Sequence, residues 1–239
     1  YVKTNIVGFT HILEGCRHNK VKHLVYASSS SVYGANTKMP YCETDKTDHQ
    51  ISFYAATKKS TENMAHSYAH LYNIPITMFR FFTVYGPWGR PDMAIFKFTK
   101  SILNGEKIDI YNHGDMKRDF TYIDDLIEGI IQLIDEVPLS DSQAQENLLK
   151  NDSKSAVAPY RVVNIGNSKP EKLTDFIALI ENSLGIIAKK NYLPMQSGDV
   201  SVTWANSDLI KNITGFQPET DISTGVSKFV GWYREYYNE

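Results

Sequence analysis

The sequence has 239 residues, 42% of them hydrophobic, which is enough to build a substantial core in one or two domains. Its formal net charge of −2 provides no basic field for nucleic acid, so any anionic ligand has to be held by individual arginines. With two cysteines and no apolar run of ~18 residues, we expect a cytoplasmic protein that binds neither nucleic acid nor membrane.

The first part of the sequence alternates amphipathic and apolar stretches. It predicts a helix over 1–18, a strand over 23–29, a helix over 53–72 and a strand over 75–82. Such strand–helix–strand alternation is typical of a parallel sheet covered by helices. We therefore predict an α/β fold built on a partial Rossmann-type, doubly wound parallel sheet.

A helix over 93–104, a short strand at IDIYN and a helix over 124–135 continue this alternation. The last elements predict a smaller C-terminal α/β lobe, made of a strand at YRVVNIG, a helix over 171–184, a short strand near Tyr192 and a helix over 222–236. The polar segment 138–158 has no regular period and predicts a loop.

Tyr54 and Lys58 lie at the start of the helix predicted over 53–72. Positions i and i+4 share a helix face, and an ammonium group favours the ionised form of a nearby phenol. The serine run 28–31, at the end of the preceding strand, offers a hydroxyl that can pass or share the proton. An isolated pair of this kind is more often a solvated helix surface, but ligands bind at strand ends in such sheets. Tyr54, Lys58 and a serine of this run are therefore candidates for oxidising a sugar or alcohol hydroxyl with a nicotinamide.

Six motifs follow one another in order along the chain. They are SSSSVYG, YAATKKSTE, RFFTVYGPWGRPDMA, KRDFTYIDDL, APYRVVNIGN and the turn Gly198-Asp199-Val200. Together they resemble the nucleotide-sugar epimerases and dehydratases among the extended short-chain dehydrogenase/reductases, most closely the UDP-glucuronate 4-epimerases. The resemblance implies NAD as cofactor and a UDP-sugar as substrate. It makes residues 1–90 the C-terminal half of the NAD-binding domain and residues 91–239 mainly the substrate-binding lobe, with segments that cross back to the sheet.

The resemblance also assigns catalytic and cofactor-binding positions. It makes Tyr54 the base for the sugar 4-hydroxyl, places Ser29 in a hydrogen bond to the same hydroxyl, and gives Lys58 the nicotinamide ribose as a further partner. The cofactor-binding residues that it implies are Asn5, Ser28, Tyr54, Lys58 and Phe81.

Eight residues are implied to bind the substrate: Ser30, Ser31, Thr83, Arg90, Tyr111, Arg118, Gln196 and Asp199. The resemblance places Arg118 on the diphosphate and Asp199 on the uridine ribose, whereas Tyr111 either lies beside the uracil or packs within a strand. A surface pair of Arg118 with Asp119 or Asp124 is the alternative for that arginine. Arg90, seven residues past Thr83, is expected to bind a hexose carboxylate with Thr83, Ser30 and Ser31, or else to lie in solvent.

Three differences between branches of the family indicate which reaction to expect. Galactose-type epimerases tend to carry arginine where this chain has Gln196 and tyrosine where it has Thr203. Ser30, Ser31 and Val32 offer none of the carboxyl groups that dehydratases and decarboxylases use there. We expect NAD-dependent 4-epimerisation of UDP-glucuronate to UDP-galacturonate through a 4-keto intermediate, for polysaccharide biosynthesis. The alternatives are a 4-epimerase of another UDP-hexose and a non-catalytic module that binds UDP-sugars or only dimerises.

The sequence contains no G-x-x-G-x-x-G or G-x-G-x-x-G turn among its fourteen glycines. Family members carry that turn in a first βαβ segment, where it holds the NAD pyrophosphate. Because residues 1–18 already read as a helix, we expect a fragment that lacks roughly 90 residues of this segment. Such a fragment is expected to be poorly stable and catalytically silent on its own.

Relatives dimerise through the two helices that correspond to 1–18 and 53–72. Their apolar positions, including Ile12, Met64, Tyr68 and Leu71, predict a homodimer for this chain. His66 and His70 lie four apart on the second helix, but no third ligand accompanies them, so we expect no metal site.

Overall fold

The computed structural model describes residues 1–139, 152–196 and 198–239, so most of the loop predicted over 138–158 lies outside the described residues. The helices are α1 (Phe9–His18), α2 (Phe53–Tyr72), α3 (Ala94–Leu103), α4 (Ile123–Asp135), α5 (Leu173–Leu184), α6 (Asp208–Thr214) and α7 (Ile222–Tyr237). The strands are β1 (Leu24–Ala27), β2 (Ile76–Phe81), β3 (Thr83–Tyr85), β4 (Lys107–Ile110), β5 (Lys117–Tyr122), β6 (Tyr160–Ile165), β7 (Pro170–Lys172), β8 (Lys189–Tyr192) and β9 (Val202–Thr203).

The main sheet has the order β1-β2-β6, and both of its strand pairs are parallel. Helices cover it on both sides because residues along each strand point alternately to opposite faces. Met78 and Val162 pack with Phe9 of α1 on one face, together with apolar residues of α2. Phe79 and its neighbours on the other face pack against α4 and α6. This confirms the prediction of a doubly wound parallel sheet.

The C-terminal part of the chain builds smaller sheets around an aromatic core. One has the order β3-β5-β7 with β9 paired to β5, and the other consists of β4 and β8. Phe120 of β5 stacks on Phe176 of α5 with ring centroids 4.1 Å apart, and Tyr85 packs edge-on against both rings. Strand β6, although late in the sequence, belongs to the main sheet. The boundary at residue 90 stays a prediction.

Several element bounds differ from the sequence-based expectation. The helix predicted over 1–18 begins as a π-helix over Val2–Gly8, where β-branched residues lower α-helix propensity and Tyr1 provides no side-chain cap. The helix predicted over 171–184 begins at Leu173, because Pro170–Lys172 pairs as a short edge strand with β5. Strands β3, β5, β7 and β9 and helix α6 were not predicted.

A buried ion pair fixes α2 against the main sheet. Arg80 of β2, which is 3% exposed, donates to both carboxylate oxygens of Glu62, each at 2.9 Å. Glu62 also accepts a hydrogen bond of 2.6 Å from Ser28 at the end of β1. Burial opposes the charge of Glu62, but the Arg80 guanidinium outweighs it and lowers the pKa of Glu62. Because a broken buried pair leaves an uncompensated charge, this network holds α2 in one position relative to both strand ends.

A second buried carboxylate, Glu43, makes the stability of the fold depend on pH. Glu43 accepts a hydrogen bond of 2.8 Å from the Asn164 amide, and burial raises its pKa from 4.5 to about 7. The folded state therefore holds a proton that the unfolded chain releases. The resulting stabilisation is fully present below pH 4.5 and is lost as the pH rises through 7.

We expect Glu43→Gln to raise the free energy of unfolding at pH 8 by about 2 kcal/mol, and to do so much less at pH 5. The amide keeps an acceptor for the Asn164 N–H group while removing the buried charge. Thermal unfolding of both proteins at the two pH values measures the effect. An equal shift in Tm at pH 5 and pH 8 would contradict this assignment.

Candidate active site

Two cavities meet at the carboxyl ends of β1 and β2. The first, here called the arginine cleft, has a volume of about 240 Å³ and is lined by Ser29, Ser30, Ser31, Thr83, Arg118, Asp199 and their neighbours. The second, the tyrosine cleft, has a volume of about 400 Å³ and is lined by Ser28, Ser29, Tyr54, Phe81, Trp88, Arg90 and their neighbours. Ser29, Phe82 and Met93 line both, so the two cavities are neighbouring parts of one site.

The serine run changes direction where β1 ends. Ser28 points inward to Glu62, and Ser29 then begins a 3₁₀ turn over Ser30–Tyr33 by accepting a hydrogen bond of 3.2 Å from the Ser31 amide. Gly34 ends the turn at a φ of +55°, and a Cβ atom there would lie 2.1 Å from the His49 carbonyl oxygen. The turn therefore requires glycine and exposes three consecutive serine residues to the arginine cleft.

Tyr54 and Lys58 lie one helical turn apart near the start of α2, which Ser52 caps by accepting a hydrogen bond of 3.1 Å from the Ala55 amide. The Lys58 ammonium group donates to the Ala27 carbonyl oxygen at 2.6 Å. Burial lowers the pKa of Lys58, while Glu62 opposes this shift. Tyr54 lines the tyrosine cleft with Ser29, but no hydrogen bond within the described part of the chain joins its hydroxyl to Ser29 or Lys58. The three residues are close together without forming a completed relay.

Of the other three predicted cofactor residues, two line the tyrosine cleft and one does not. Phe81 lines it, and Ser28 does so with its hydroxyl already committed to Glu62. Asn5, in the π-helix before α1, donates a hydrogen bond of 2.9 Å to the Thr57 hydroxyl on α2 and is not among the lining residues. Asn5 is thereby fixed beside the helix turn that carries Tyr54 and Lys58.

Arg118 is the cation of the arginine cleft, with a side chain that is 16% exposed. It donates to the Asp199 carboxylate at 2.9 Å and to the Ser201 carbonyl oxygen at 3.1 Å. Burial lowers the pKa of Arg118, and Asp199 opposes that effect. Neither Asp119 nor Asp124 is its partner: Asp119 is buried on the opposite side of β5 and accepts hydrogen bonds from three backbone amides.

Arg90 lies at the mouth of the tyrosine cleft and is 74% exposed. Its guanidinium group donates to Asp92 at 3.2 Å and contacts the Met93 sulfur at 3.5 Å. Both partners belong to the same short segment of chain. Arg90 is therefore near the site and largely free to reorient toward a ligand there.

Two predicted substrate residues lie outside both clefts. Tyr111 lines a separate cavity of about 540 Å³ between α3 and β4. Gln196 is exposed, and its carbonyl oxygen accepts a hydrogen bond of 3.3 Å from the Asp199 amide. The structure thus does not bring these two side chains together with Arg118, although Gln196 helps to form the turn that holds Asp199.

Sequence reasoning missed several lining residues, notably Tyr41, Phe82, Trp88 and Met93. Phe82, Trp88 and Met93 fall inside the motif RFFTVYGPWGRPDMA, so their neighbourhood to Thr83 and Arg90 was a usable signal. No signal in the sequence pointed to Tyr41, because a β-bridge to Ala205, which is distant in sequence, brings it to the cleft.

The described ranges 1–139, 152–196 and 198–239 lack two further kinds of feature. They contain no cluster of three or more His, Cys, Asp or Glu side chains that could hold a metal ion. No helix in them has the length and apolar character needed to span a bilayer. His66 and His70 bind the chain itself, through the Ser155 hydroxyl at 2.9 Å and the Val157 carbonyl oxygen at 2.7 Å.

Comparison with known proteins identifies relatives along the whole chain. The sequence profile of the NAD dependent epimerase/dehydratase family matches residues 1–147. Protein CapI of Staphylococcus aureus is 56% identical over all of this chain and 71% of its own length. The Rhizobium meliloti (strain 1021) protein named Probable UDP-glucuronate 4-epimerase is 52% identical over 99% of this chain and 69% of its own length.

A solved structure extends this similarity to three dimensions. The crystal structure of UDP-glucuronic acid 4-epimerase from Bacillus cereus, in complex with UDP-glucuronic acid and NAD, matches with a TM-score of 0.85 and 32% sequence identity. The match covers 99% of this chain and 69% of that one. Together with the profile match, these similarities show that the chain belongs to the NAD dependent epimerase/dehydratase family.

Proposed function

We propose that the protein is an NAD-dependent 4-epimerase that interconverts UDP-glucuronate and UDP-galacturonate. One observation carries the proposal: Tyr54 and Ser29 line a cleft that joins the cleft of Arg118 and Asp199 and has Arg90 at its mouth. This arrangement offers a base for a sugar hydroxyl, a cation for a diphosphate and a second cation for a hexose carboxylate. The names of the Rhizobium meliloti and Bacillus cereus relatives agree with that substrate.

The tyrosine cleft fits the nicotinamide end of NAD. Within the described residues the Lys58 ammonium has one hydrogen-bond acceptor, Ala27, so further N–H groups remain for ribose hydroxyls. Phe81 and Ser28 line the same cleft. Bound NAD supplies an acceptor for the hydride from sugar C4 and later returns that hydride. The 239 residues contain no glycine-rich turn of the kind that holds the pyrophosphate end of NAD.

The proton of the sugar 4-hydroxyl would be transferred by Tyr54, with Ser29 and Lys58 beside it. Tyr54, as a phenolate, takes this proton when C4 is oxidised and gives it back to O4 when C4 is reduced. Lys58 lies one helical turn from Tyr54, and the Ser29 hydroxyl holds O4 in place. Because the same groups act in both directions, the reaction has no net proton or redox change.

Inversion requires that the hexose presents either face of C4 to the same groups. The nucleotide then has to stay bound while the 4-keto hexose turns. The Arg118 fork is suited to this, because it is held by Asp199 and Ser201 and can bind two phosphate oxygens at once. The hexose itself would meet the hydroxyls of Ser30 and Thr83, which give weaker and more interchangeable contacts.

A 4-epimerase of neutral UDP-hexoses is the second candidate, favoured by the exposure of Arg90 and its pairing with Asp92. We expect Arg90→Leu to lower kcat/KM for UDP-glucuronate by about 10- to 100-fold, the range for one charge-assisted contact, and to leave UDP binding unchanged. Steady-state kinetics and calorimetry with UDP measure the two effects. Lys211→Leu, which removes an exposed cation from α6, is the control. An unchanged kcat/KM in the Arg90 variant would favour the neutral substrate.

The direct test incubates the full-length protein, with any residues that precede Tyr1, with NAD and UDP-glucuronate. Chromatography then separates the two UDP-hexuronates. UDP-glucose and UDP-N-acetylglucosamine are assayed in parallel. Turnover of a neutral sugar alone would favour the second candidate. Binding of UDP-sugars without turnover would support a non-catalytic binding module instead.

We further propose a homodimer formed by α1 and α2. Ile12 and Leu71 are exposed on these helices, whereas Met64 and Tyr68 pack partly against the protein's own core. We expect Ile12→Glu with Leu71→Glu to convert a dimer to a monomer in light scattering at micromolar concentration, because burying two charges in an apolar interface is costly. Ile187→Glu, at an exposed isoleucine outside α1 and α2, should leave the dimer intact. A wild-type monomer under the same conditions would refute the proposal.

We also propose a cytoplasmic location and a role in polysaccharide biosynthesis. The free thiols Cys16 and Cys42 suit a reducing compartment. A UDP-hexuronate is an activated sugar, so a glycosyl transfer reaction is the class of step that would consume the product.

A further inference from the structure

Trp88 is an exposed aromatic residue on the segment that carries Arg90. It is 73% exposed and lines the tyrosine cleft. Its φ of +61° lies in the left-handed region that favours glycine. The Gly89 amide donates a hydrogen bond of 3.3 Å to the Gly86 carbonyl oxygen and closes a tight turn around it. A tryptophan is therefore held where glycine would be the less strained choice.

Contacts with α7 offset this strain. The Trp88 ring lies 5.3 Å from the Trp232 ring and 5.0 Å from the Tyr236 ring, and the latter two rings stack at 5.5 Å. Aromatic pairs of this geometry are favourable, so the two ring contacts of Trp88 act against the strain of a left-handed non-glycine residue. We call Trp88, Trp232 and Tyr236 the aromatic clasp.

The clasp is placed to control Arg90. The polar contacts of the Arg90 side chain, with Asp92 and Met93, both lie on its own segment. The backbone of residues 86–93 therefore sets the point from which the Arg90 side chain reaches toward a ligand. One end of that segment joins α3, where the Met93 amide donates to the Arg90 carbonyl oxygen at 3.1 Å. The other end is fastened to α7 by Trp88.

We infer that the aromatic clasp is a positioning device that holds Arg90 at the mouth of the tyrosine cleft and so sets the preference for an acidic hexose. The inference rests on the proposed function. It assigns substrate selection partly to Trp232 and Tyr236, which line neither the arginine cleft nor the tyrosine cleft. They act through Trp88 and not by touching the substrate.

The test compares binding of UDP-glucuronate and of UDP by calorimetry, together with kcat and KM, in the full-length protein. We expect Trp88→Ala to weaken UDP-glucuronate binding and raise KM about tenfold, with kcat changed less than about threefold and UDP binding unchanged. Trp88→Gly removes the strain as well as the clasp and should weaken binding to the same degree. Trp88→Phe, which keeps a ring, should recover most of the affinity.

Tyr236→Ala removes one wall of the clasp outside the clefts and is expected to weaken UDP-glucuronate binding about threefold. Its effect should not add fully to that of Trp88→Ala, or of Arg90→Leu, because all three changes disturb one interaction. Glu235→Ala, an exposed neighbour on α7, is the control and should behave as wild type. The Tyr236 variant also keeps the test decisive if Trp88 variants fold poorly.

Three results would overturn the inference. They are wild-type affinities in both Trp88→Ala and Tyr236→Ala, an equal loss of UDP and UDP-glucuronate affinity, and full additivity with Arg90→Leu. Failure of the proposed function gives a different pattern, since wild-type protein would then not favour UDP-glucuronate over UDP-glucose.

Discussion

Tyr54→Phe is expected to lower kcat for UDP-glucuronate epimerisation at least 100- to 1,000-fold, with little change in KM. Loss of a general base costs about this much. The Phe ring preserves the packing of Tyr54 against Tyr1, where the ring centroids are 5.4 Å apart, so binding should survive. The measurement is steady-state turnover of the full-length protein with saturating NAD.

Two variants make this result specific. Tyr72→Phe removes a phenol hydroxyl from the far end of the same helix and should leave kcat unchanged. Ser29→Ala should lower kcat by a smaller factor than Tyr54→Phe, because Tyr54 can then act through water. A Tyr54→Phe protein with near wild-type turnover would remove Tyr54 from the role of base.

Arg118→Leu is expected to raise KM for UDP-glucuronate and Kd for UDP by at least roughly 100-fold. A guanidinium group that binds a diphosphate supplies about two charge-assisted hydrogen bonds, each worth about 1.5–3 kcal/mol. The substitution also leaves Asp199 without its partner at 2.9 Å, so an uncompensated carboxylate would repel the diphosphate. Calorimetry with UDP isolates this effect from catalysis.

Arg118→Lys separates charge from geometry in the same experiment. The ammonium group keeps the positive charge but cannot bind two oxygens in a fork, so an intermediate affinity is expected. Thermal unfolding checks that each variant is folded. Unchanged UDP affinity in a folded Arg118→Leu protein would place the diphosphate elsewhere.

Local patterns in the sequence were sufficient to predict most of the long helices and strands. Helix α2 has the predicted bounds, 53–72, because its apolar period is bracketed by the Ser52 cap and by Asn73 in a left-handed conformation. The two- and three-residue strands were not predictable in this way. Strand β9 exists because Val202 pairs with Lys117, a partner far away in sequence, and its own two residues carry no period.

In the candidate site, likewise, residues within local motifs were predictable, whereas their tertiary contacts were not. Motifs located Tyr54, Ser29, Arg90 and Arg118, since each lies in a short stretch with a recognisable pattern. The partners of these residues depend on tertiary contacts, and the pairing of Arg118 with Asp199 joins positions 81 residues apart. The contact of Trp88 with α7 is likewise invisible in sequence, because only the folded chain places the C-terminal helix beside residues 86–93.

The most direct test of the account uses UDP-glucuronate labelled with deuterium at C4. If C4 is oxidised and then reduced again, the product UDP-galacturonate retains the deuterium at C4. Turnover of the labelled substrate is expected to be slower than that of unlabelled substrate. In the Tyr54→Phe reaction, all of the deuterium is expected to remain in the UDP-glucuronate. Mass spectrometry and proton NMR of the separated product measure retention and position. Loss of the deuterium to solvent, a product without its C6 carboxylate, or no conversion by the full-length protein with NAD would contradict the assignment.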